Sequence, residues 1–481
     1  MKDGGQAPEG RSMTVVTFDA PGLGDRSYLI SDGEVSVVVD AQRDPSAYLQ
    51  EAEKLGVTIV AVLETHIHND YVSGGLALAR AAAATYVIPA GEAVEFVNEC
   101  RALEGGETIS VGELEIKAIS TNGHTNHHLA YLVGMNVPRD DEQGGDQVVC
   151  TGGSLLVNAT GRTDLLGDAL AEQLARSQWR SVRHLLKTLT AETVILPTHG
   201  FGSFCSARLT PGAGPAGTVG QERSQNPAAV LDEEHFVAAV LDDLPPIPAY
   251  YRHMAPLNRK GATAPVFRPV EVLDFDGLET AVEVPRWIVD LRHKRAFAGA
   301  HLLGNLNIEL GSNLATYLGW LVPWGSEIVL LAEHEAEVAE ARRLISQIGW
   351  DDLYGVAFWP TDTIARSSVL TSGRVLSYPV ASFSDLAVAW RAHGPSEMRV
   401  LDVRHRQEWK AGHIAGASNR PVQELAGSKS DLPTGQIWVH CAGGFRAALA
   451  ASLLSSWGAS PILVDDSWEN ALVSGLPMTE N

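Results

Sequence analysis

The amino-acid sequence predicts an α/β chain in which strands end in polar or histidine-bearing loops and alternate with helices. Three observations predict it. Short β-branched runs recur along the first half, each stopping at a loop rich in histidine, glycine or acid. Alanine-rich or amphipathic stretches of helical length separate them. The last half repeats itself, because Asp290, His301 and Gly304 recur 112 residues later as Asp402, His413 and Gly416. Layered strands and helices of this kind place a site at the strand ends.

Residues 1–12 are polar and glycine-rich and predict a frayed segment. Ser12–Val16, Tyr28–Ile30 and Val35–Asp40 read as strands, and a helix follows at about Pro45–Leu55. Ile59–Leu63 reads as a buried strand and runs into Thr65-His66-Ile67-His68-Asn69-Asp70-Tyr71-Val72-Ser73-Gly74-Gly75. Imidazoles at i and i+2 with a carboxylate at i+4, just past a strand end, can converge on one point. Neutral imidazole and carboxylate suit Zn or Fe. Leu76–Ala84 is helical by propensity, and Tyr86–Ile88 and Glu113–Ser120 are strands, the latter ending in Thr121-Asn122-Gly123-His124-Thr125. Pro138–Asp146 predicts an exposed hairpin insertion. Val148–Ser154 reads as a strand into a turn, Gln173–Leu189 as an amphipathic helix, and Val194–Gly200 as a strand ending in His199. Leu209–Ala228, rich in Gly, Pro, Ser and Gln, predicts a solvated loop. Val230–Leu241 is helical, and the prolines of Leu244–Tyr251 rule out its continuation.

A length of 481 residues predicts about three domains, and a net charge of −22 argues against a nucleic-acid partner, which would need a basic face. Cys100, Cys150, Cys205 and Cys441 lie far apart without a Cys-x-x-Cys pair, so one reactive thiol is expected rather than a disulfide framework. No apolar run approaches a membrane span. The first residues show neither a signal-peptide nor a lipidation pattern. A cytoplasmic protein with no membrane partner is expected, and a homodimer is compatible with the sequence.

THIHNDYVSGG at 65–75, GHT at 123–125, TGGSLL at 151–156, GRTDLL at 161–166 and PTHGFGSFC at 197–205 occur in an order that resembles the metallo-β-lactamase superfamily. More narrowly they resemble its persulfide dioxygenase and glyoxalase II branch. The resemblance covers residues 12–255 and implies an αββα sandwich. It also implies that His66 and His124 are metal ligands, with Asp70 and His199 at second-site ligand positions. Two positions depart from the family: Tyr71 stands where it has histidine, and Gly153 where it has the metal-binding aspartate. His66, His68 and His124 remain, enough for one Fe(II) or Zn(II) with an open fourth position. His128 and Asp164 match supporting positions that orient ligands, and His199–Ser203, including Gly202, resembles the segment that approaches a thiol substrate. The Thr-Gly-Gly variant resembles that of some metallo-β-lactamase–rhodanese fusions. Three readings of this site stay open: a mononuclear centre that does chemistry, a weak or vacant site kept for its fold, and a site rebuilt with a ligand from elsewhere.

In the repeat, each copy places an apolar strand, Glu327–Leu331 or Gln436–His440, after its Asp-x-Arg motif, and a helix beyond it. The pattern resembles rhodanese domains, over residues 265–360 and 380–481. Cys441-Ala442-Gly443-Gly444-Phe445-Arg446 matches the rhodanese active loop. A loop of N–H groups between strand and helix, including Gly443 and Gly444, is an anion cradle that favours thiolate. Arg446 adds a forked cationic donor for a sulfonyl or persulfide group. Cys441 is thus the expected nucleophile and persulfide carrier. The first copy has Ala332 and Glu337 in these places and reads as a catalytically dead spacer.

These readings converge on a sulfur-metabolism enzyme acting on a small-molecule thiol persulfide or thiosulfate. A glyoxalase II-like thioester hydrolase and a non-catalytic persulfide sensor or carrier remain the alternatives.

Overall fold

The computed structural model describes residues 12–20, 22–136, 147–200, 202–207, 217–242, 244–274, 277–278, 281, 286–360, 375–425 and 435–479. The hairpin expected at 138–146 lies outside them. The chain divides into two compact units, one running to Val266 with Ser346–Gly349, the other holding the remainder.

The first unit contains two six-stranded sheets. One runs in chain order through β1 (Thr14–Ala20), β2 (Asp25–Ser31), β3 (Val35–Val39), β4 (Thr58–Leu63), β5 (Thr85–Pro89) and β6 (Cys100–Leu103). Its first three strands are antiparallel and the rest parallel. The other contains β7 (Thr108–Val111), β8 (Leu114–Ser120), β9 (Leu129–Met135), β10 (Val148–Gly152), β11 (Val194–Pro197) and β12 (Gly217–Thr218), with β10 and β11 parallel.

Alternation along the strands builds the layers. Val37 and Val39 point inward, against residues of the facing sheet such as Ile116 and Tyr131, whereas Val38 points outward. Outward residues of the first sheet pack beneath α1 (Ser46–Leu55) and α2 (Gly75–Ala82), and those of the second beneath α3 (Asp168–Thr188). The result is an αββα sandwich. Asp40, the His66–Asp70 loop, the Thr121–His128 loop, Gly153 and His199 all follow strand ends.

One expectation is corrected here. Within the segment read as a solvated loop, residues 217–228 form β12 and a helix at Val219–Gln225. A reciprocal cap between Thr218 and Gln221 starts that helix, and buried Val219 and Ala228 anchor the segment. Glycine and serine content concealed this local capping signal.

In the second unit the two copies build parallel sheets of one order. The first places Leu306–Asn307, Trp287–Asp290, Ile328–Ala332 and Gly355–Phe358 side by side. The second places Ser418–Asn419, Val400–Asp402, Gln436–His440, Ser460–Val464 and Val380–Ala381 in the corresponding sequence.

Candidate metal centre and thiol loop

His66, His68, His124 and His199 of the first unit have no exposed surface, and each has one ring nitrogen anchored by a neighbouring group. Thr65 Oγ1 spends its only proton on Asp40 (2.8 Å), so the His66 Nδ1–H donates to Thr65 (2.9 Å), and His66 Nε2 keeps its lone pair. His124 Nδ1 donates to the Arg162 carbonyl (2.8 Å), and its Nε2 has no hydrogen-bond partner among the described residues. His199 Nδ1 meets Asp25 (2.8 Å) and Asp70 (3.2 Å), and its Nε2 faces His66 Nε2 at 3.3 Å. His68 Nε2 lies 3.1 Å from Glu64 and 3.3 Å from Asp40, and its Nδ1 is unpartnered among the described residues.

Donor atoms of His66, His124 and His199 lie within 4.8 Å of one another, and His68, Asp70 and His199 form a second set. The set with His66 and His124 is therefore completed by His199 and not, as the sequence suggested, by His68, which groups with Asp70 instead. Among the described residues, Asp70 Oδ1 and one Asp25 oxygen also lack a hydrogen-bond partner. Buried imidazoles and carboxylates with orphaned acceptor atoms fit a cation.

Electrostatics divides the cluster. Burial, then the neighbouring imidazoles, pushes His66 well below the usual histidine range; burial, then His199, takes His124 down to about 3. Burial also opposes charge on His68 and His199. The carboxylates win: Asp40 and Glu64 raise His68 to about 10, and Asp70 and Asp25 raise His199 well above its ordinary value.

Gly153 is a requirement of this arrangement. A Cβ there would sit 2.2 Å from His124 Cδ2, so a side chain at 153 and the present His124 ring exclude each other. Tyr71 stacks on His68 with ring centroids 4.4 Å apart, and its hydroxyl donates to the Asp40 carbonyl (3.1 Å). It braces the cluster and offers no free donor atom.

His128 uses both nitrogens. Nε2 accepts from the Gly153 N–H (3.1 Å), so Nδ1 donates to Thr121 (2.7 Å), while the ring stacks on His66. Together with Gly91, Glu104 and His127, it lines a cavity of about 400 Å³. Asp164 holds the Arg162 guanidinium with two 2.7 Å bonds, and Arg162 in turn accepts from His124 through its carbonyl. Ser203 is buried within its own turn, its Oγ accepting the Cys205 N–H (3.2 Å), and Gly202 is exposed.

Asp25, Asp40 and Glu64 were not singled out from sequence. Asp40 and Glu64 each follow an apolar strand, the signal that marks the histidines. Asp25 opens β2 and carries no comparable signal.

In the second unit Cys441 is buried between Gln436–His440 and the helix Phe445–Ser456. The Gly444 N–H points at Cys441 Sγ from 3.1 Å. Gly444 has φ 84°, and a Cβ would lie 2.3 Å from Asp465 Oδ1, so glycine is needed there. Gly443 is exposed, with open space where its Cβ would be. Arg446 is held by Glu408 through bonds of 2.5 and 2.8 Å. Tyr317, from the first copy, packs edge-on against Phe445 with centroids 5.2 Å apart. The first copy therefore walls the thiol loop as well as repeating its fold. All four cysteines are free, and no helix among the described residues is long and apolar enough to cross a membrane.

Comparison with known proteins agrees with this architecture. The metallo-beta-lactamase superfamily model matches residues 21–199, and the rhodanese-like domain model matches residues 386–472. A hydroxyacylglutathione hydrolase of Hyphomonas neptunium is 32% identical over 122 residues, 25% of this chain and 48% of that protein. One from Cereibacter sphaeroides is 26% identical over 280 residues, covering 57% of this chain and 98% of that one. The chain spans about half the length of the first curated relatives it matches. A solved metallo-beta-lactamase from Staphylococcus aureus subsp. aureus COL superposes with a TM-score of 0.64 at 27% identity, covering 73% of this chain and 100% of that one.

Proposed function

The chain carries a metallo-beta-lactamase domain and a C-terminal rhodanese-like domain, and from that premise we propose a cytoplasmic sulfur-handling enzyme in which Cys441 carries sulfane sulfur as a persulfide. The observation that carries this is the Cys441 loop, where the Gly444 N–H meets the sulfur and Arg446 stands on the following helix.

With thiosulfate, the Cys441 thiolate attacks the sulfane sulfur. A new S–S bond forms, the old one breaks, and sulfite leaves with its electron pair. The resulting persulfide passes its outer sulfur to an acceptor thiolate or cyanide, which regenerates the Cys441 thiolate. N–H groups of the loop stabilise the anion at each stage. Glu408 keeps Arg446 in place, so an anionic substrate engages donors that this pair leaves open.

For the first domain we propose a thiol persulfide as substrate, with one Fe(II) or Zn(II) held by His66, His124 and His199, while His68 and Asp70 belong to a neighbouring set that shares His199. Such an ion would supply Lewis-acid activation of a bound thiolate or water. Asp25, Asp40, Glu64 and Thr65 orient the imidazoles, and His128 fixes the Gly153 backbone.

Incubation with thiosulfate should add one sulfur atom to the mass of the full chain, and Cys441→Ser should abolish the addition. No addition in the unaltered chain overturns the sulfurtransferase proposal. The hydroxyacylglutathione hydrolase relatives favour a second reading of the first domain, thioester hydrolysis. Metal analysis with two assays separates the cases: oxygen uptake on a thiol persulfide supports oxidation, and thioester cleavage without oxygen supports the hydrolase. A metal-free protein inactive in both would be a carrier.

A further inference from the structure

The net charge of −22 makes one surface of the first unit unexpected. The solvent side of α3 borders a cavity of about 460 Å³ whose lining contains Arg180, Arg183, His184, Lys187 and Arg223 and no carboxylate. Trp179, Leu186 and Ala229 complete the lining with apolar surface. The cavity has the size of a small-molecule site. It is separate from the histidine cluster, which α3 meets through Gln178, bonded to the Ser154 carbonyl at 2.7 Å.

Two of its cations are held in position without being neutralised. Arg223 donates to the Leu186 and Leu189 carbonyls at 2.7 and 2.6 Å, crossing the end of α3. Arg183 donates to the Ala229 carbonyl at 3.1 Å and lies 4.8 Å from the Trp179 ring centre. Trp179 is fixed in turn by its indole N–H on the Leu231 carbonyl (3.1 Å). Carbonyl anchoring fixes a guanidinium without cancelling its charge. Arg180 alone among these cations is paired with a carboxylate, Glu233, among the described residues.

Two anchored guanidinium groups, a lysine at the rim and a tryptophan face form a receptor for a compact anion with an apolar body. Guanidinium forks match phosphate oxygens, and a ring or chain can lie on the indole. A nucleic acid would meet the acidic remainder of the surface, which disfavours it.

We propose that this cavity binds a small phosphate-bearing organic molecule of about mononucleotide size. The experiment is isothermal titration of the full chain with ADP, with pyrophosphate and with adenosine, at low and high salt. ADP should bind most tightly, pyrophosphate more weakly and adenosine not measurably, with affinity falling as salt rises. Arg183→Gln should weaken ADP binding about tenfold or more. Lys187→Glu, at an exposed position, should weaken it in the same direction and serves if Arg183→Gln fails to fold. Absence of binding by both ADP and pyrophosphate overturns the proposal, as does adenosine binding equal to that of ADP. Unchanged ADP affinity in Lys187→Glu also overturns it.

Discussion

The two copies of the C-terminal repeat share a frame and differ at one loop. In the frame, Asp290 grips Arg292 and Asp402 grips Arg404, each through a 2.7 Å bond, and both pairs are buried. Each arginine then reaches a carbonyl eight residues on, Ala300 or Gly412. Asn307 and Asn419 each bridge two carbonyls of their Asp-x-Arg segment. His301 and His413 each turn Nδ1 to a carbonyl four residues back.

At the loop the copies part. In the second, the Gly444 N–H is directed at a thiol. In the first, the Glu333 and His334 N–H groups point at the Glu337 carboxylate, at 2.7 and 3.2 Å. The anion cradle persists there, but the chain's own carboxylate fills it. Where the first copy has no thiol, an internal carboxylate satisfies the loop. The frame is common to both copies, and at the loop one copy presents a thiol where the other presents a carboxylate.

The largest test of this contrast is Cys441→Ser. It should lower cyanide-dependent thiocyanate formation by at least ~10³-fold, because the displaced group is the nucleophile itself. Adding Ala332→Cys to that variant should restore nothing, since Glu337 still occupies the loop; a recovered rate would show that the carboxylate does not silence the first copy.

Next come the frames. Asp290→Ala and Asp402→Ala should each cost about 3 kcal/mol or more in urea denaturation, because each strands a buried arginine. A large cost in one copy only would break the equivalence.

Arg446→Lys keeps the charge but removes the fork, and should lower kcat/KM for thiosulfate about tenfold. The smallest effect concerns Glu408. Burial pushes its carboxyl up, but Arg446 outweighs this and holds it below the ordinary value. Its contribution is therefore present above the unfolded carboxyl value and fades as pH falls through the lower folded one. Glu408→Gln should remove this part of the acid dependence of the urea midpoint, a difference of under about 1 kcal/mol because the carboxylate is partly solvated.

Much of the molecule was legible before folding. β-branched runs such as Val35–Val39 marked strands, and the 112-residue spacing of Asp290 and Asp402 marked the repeat. The Cys441 loop carried its chemistry in adjacent residues. The capped helix at 219–225 was hidden by composition. The partners of the histidines were hidden by distance: Asp25 and His199 are 174 positions apart, and His66 and His199 are 133.

By itself the sequence determined which residue types stand at which strand ends, because side-chain alternation and turn chemistry are local. Only the tertiary structure decided which imidazole nitrogen is anchored and which is free, that His124 occupies the space beside Gly153, and that Glu337 fills the silent loop. It also gathered basic residues from α3 and from Arg223 around one cavity in an acidic protein. Hydrogen-bond direction and charge proximity are properties of packed neighbours, and a linear chain does not contain them until it folds.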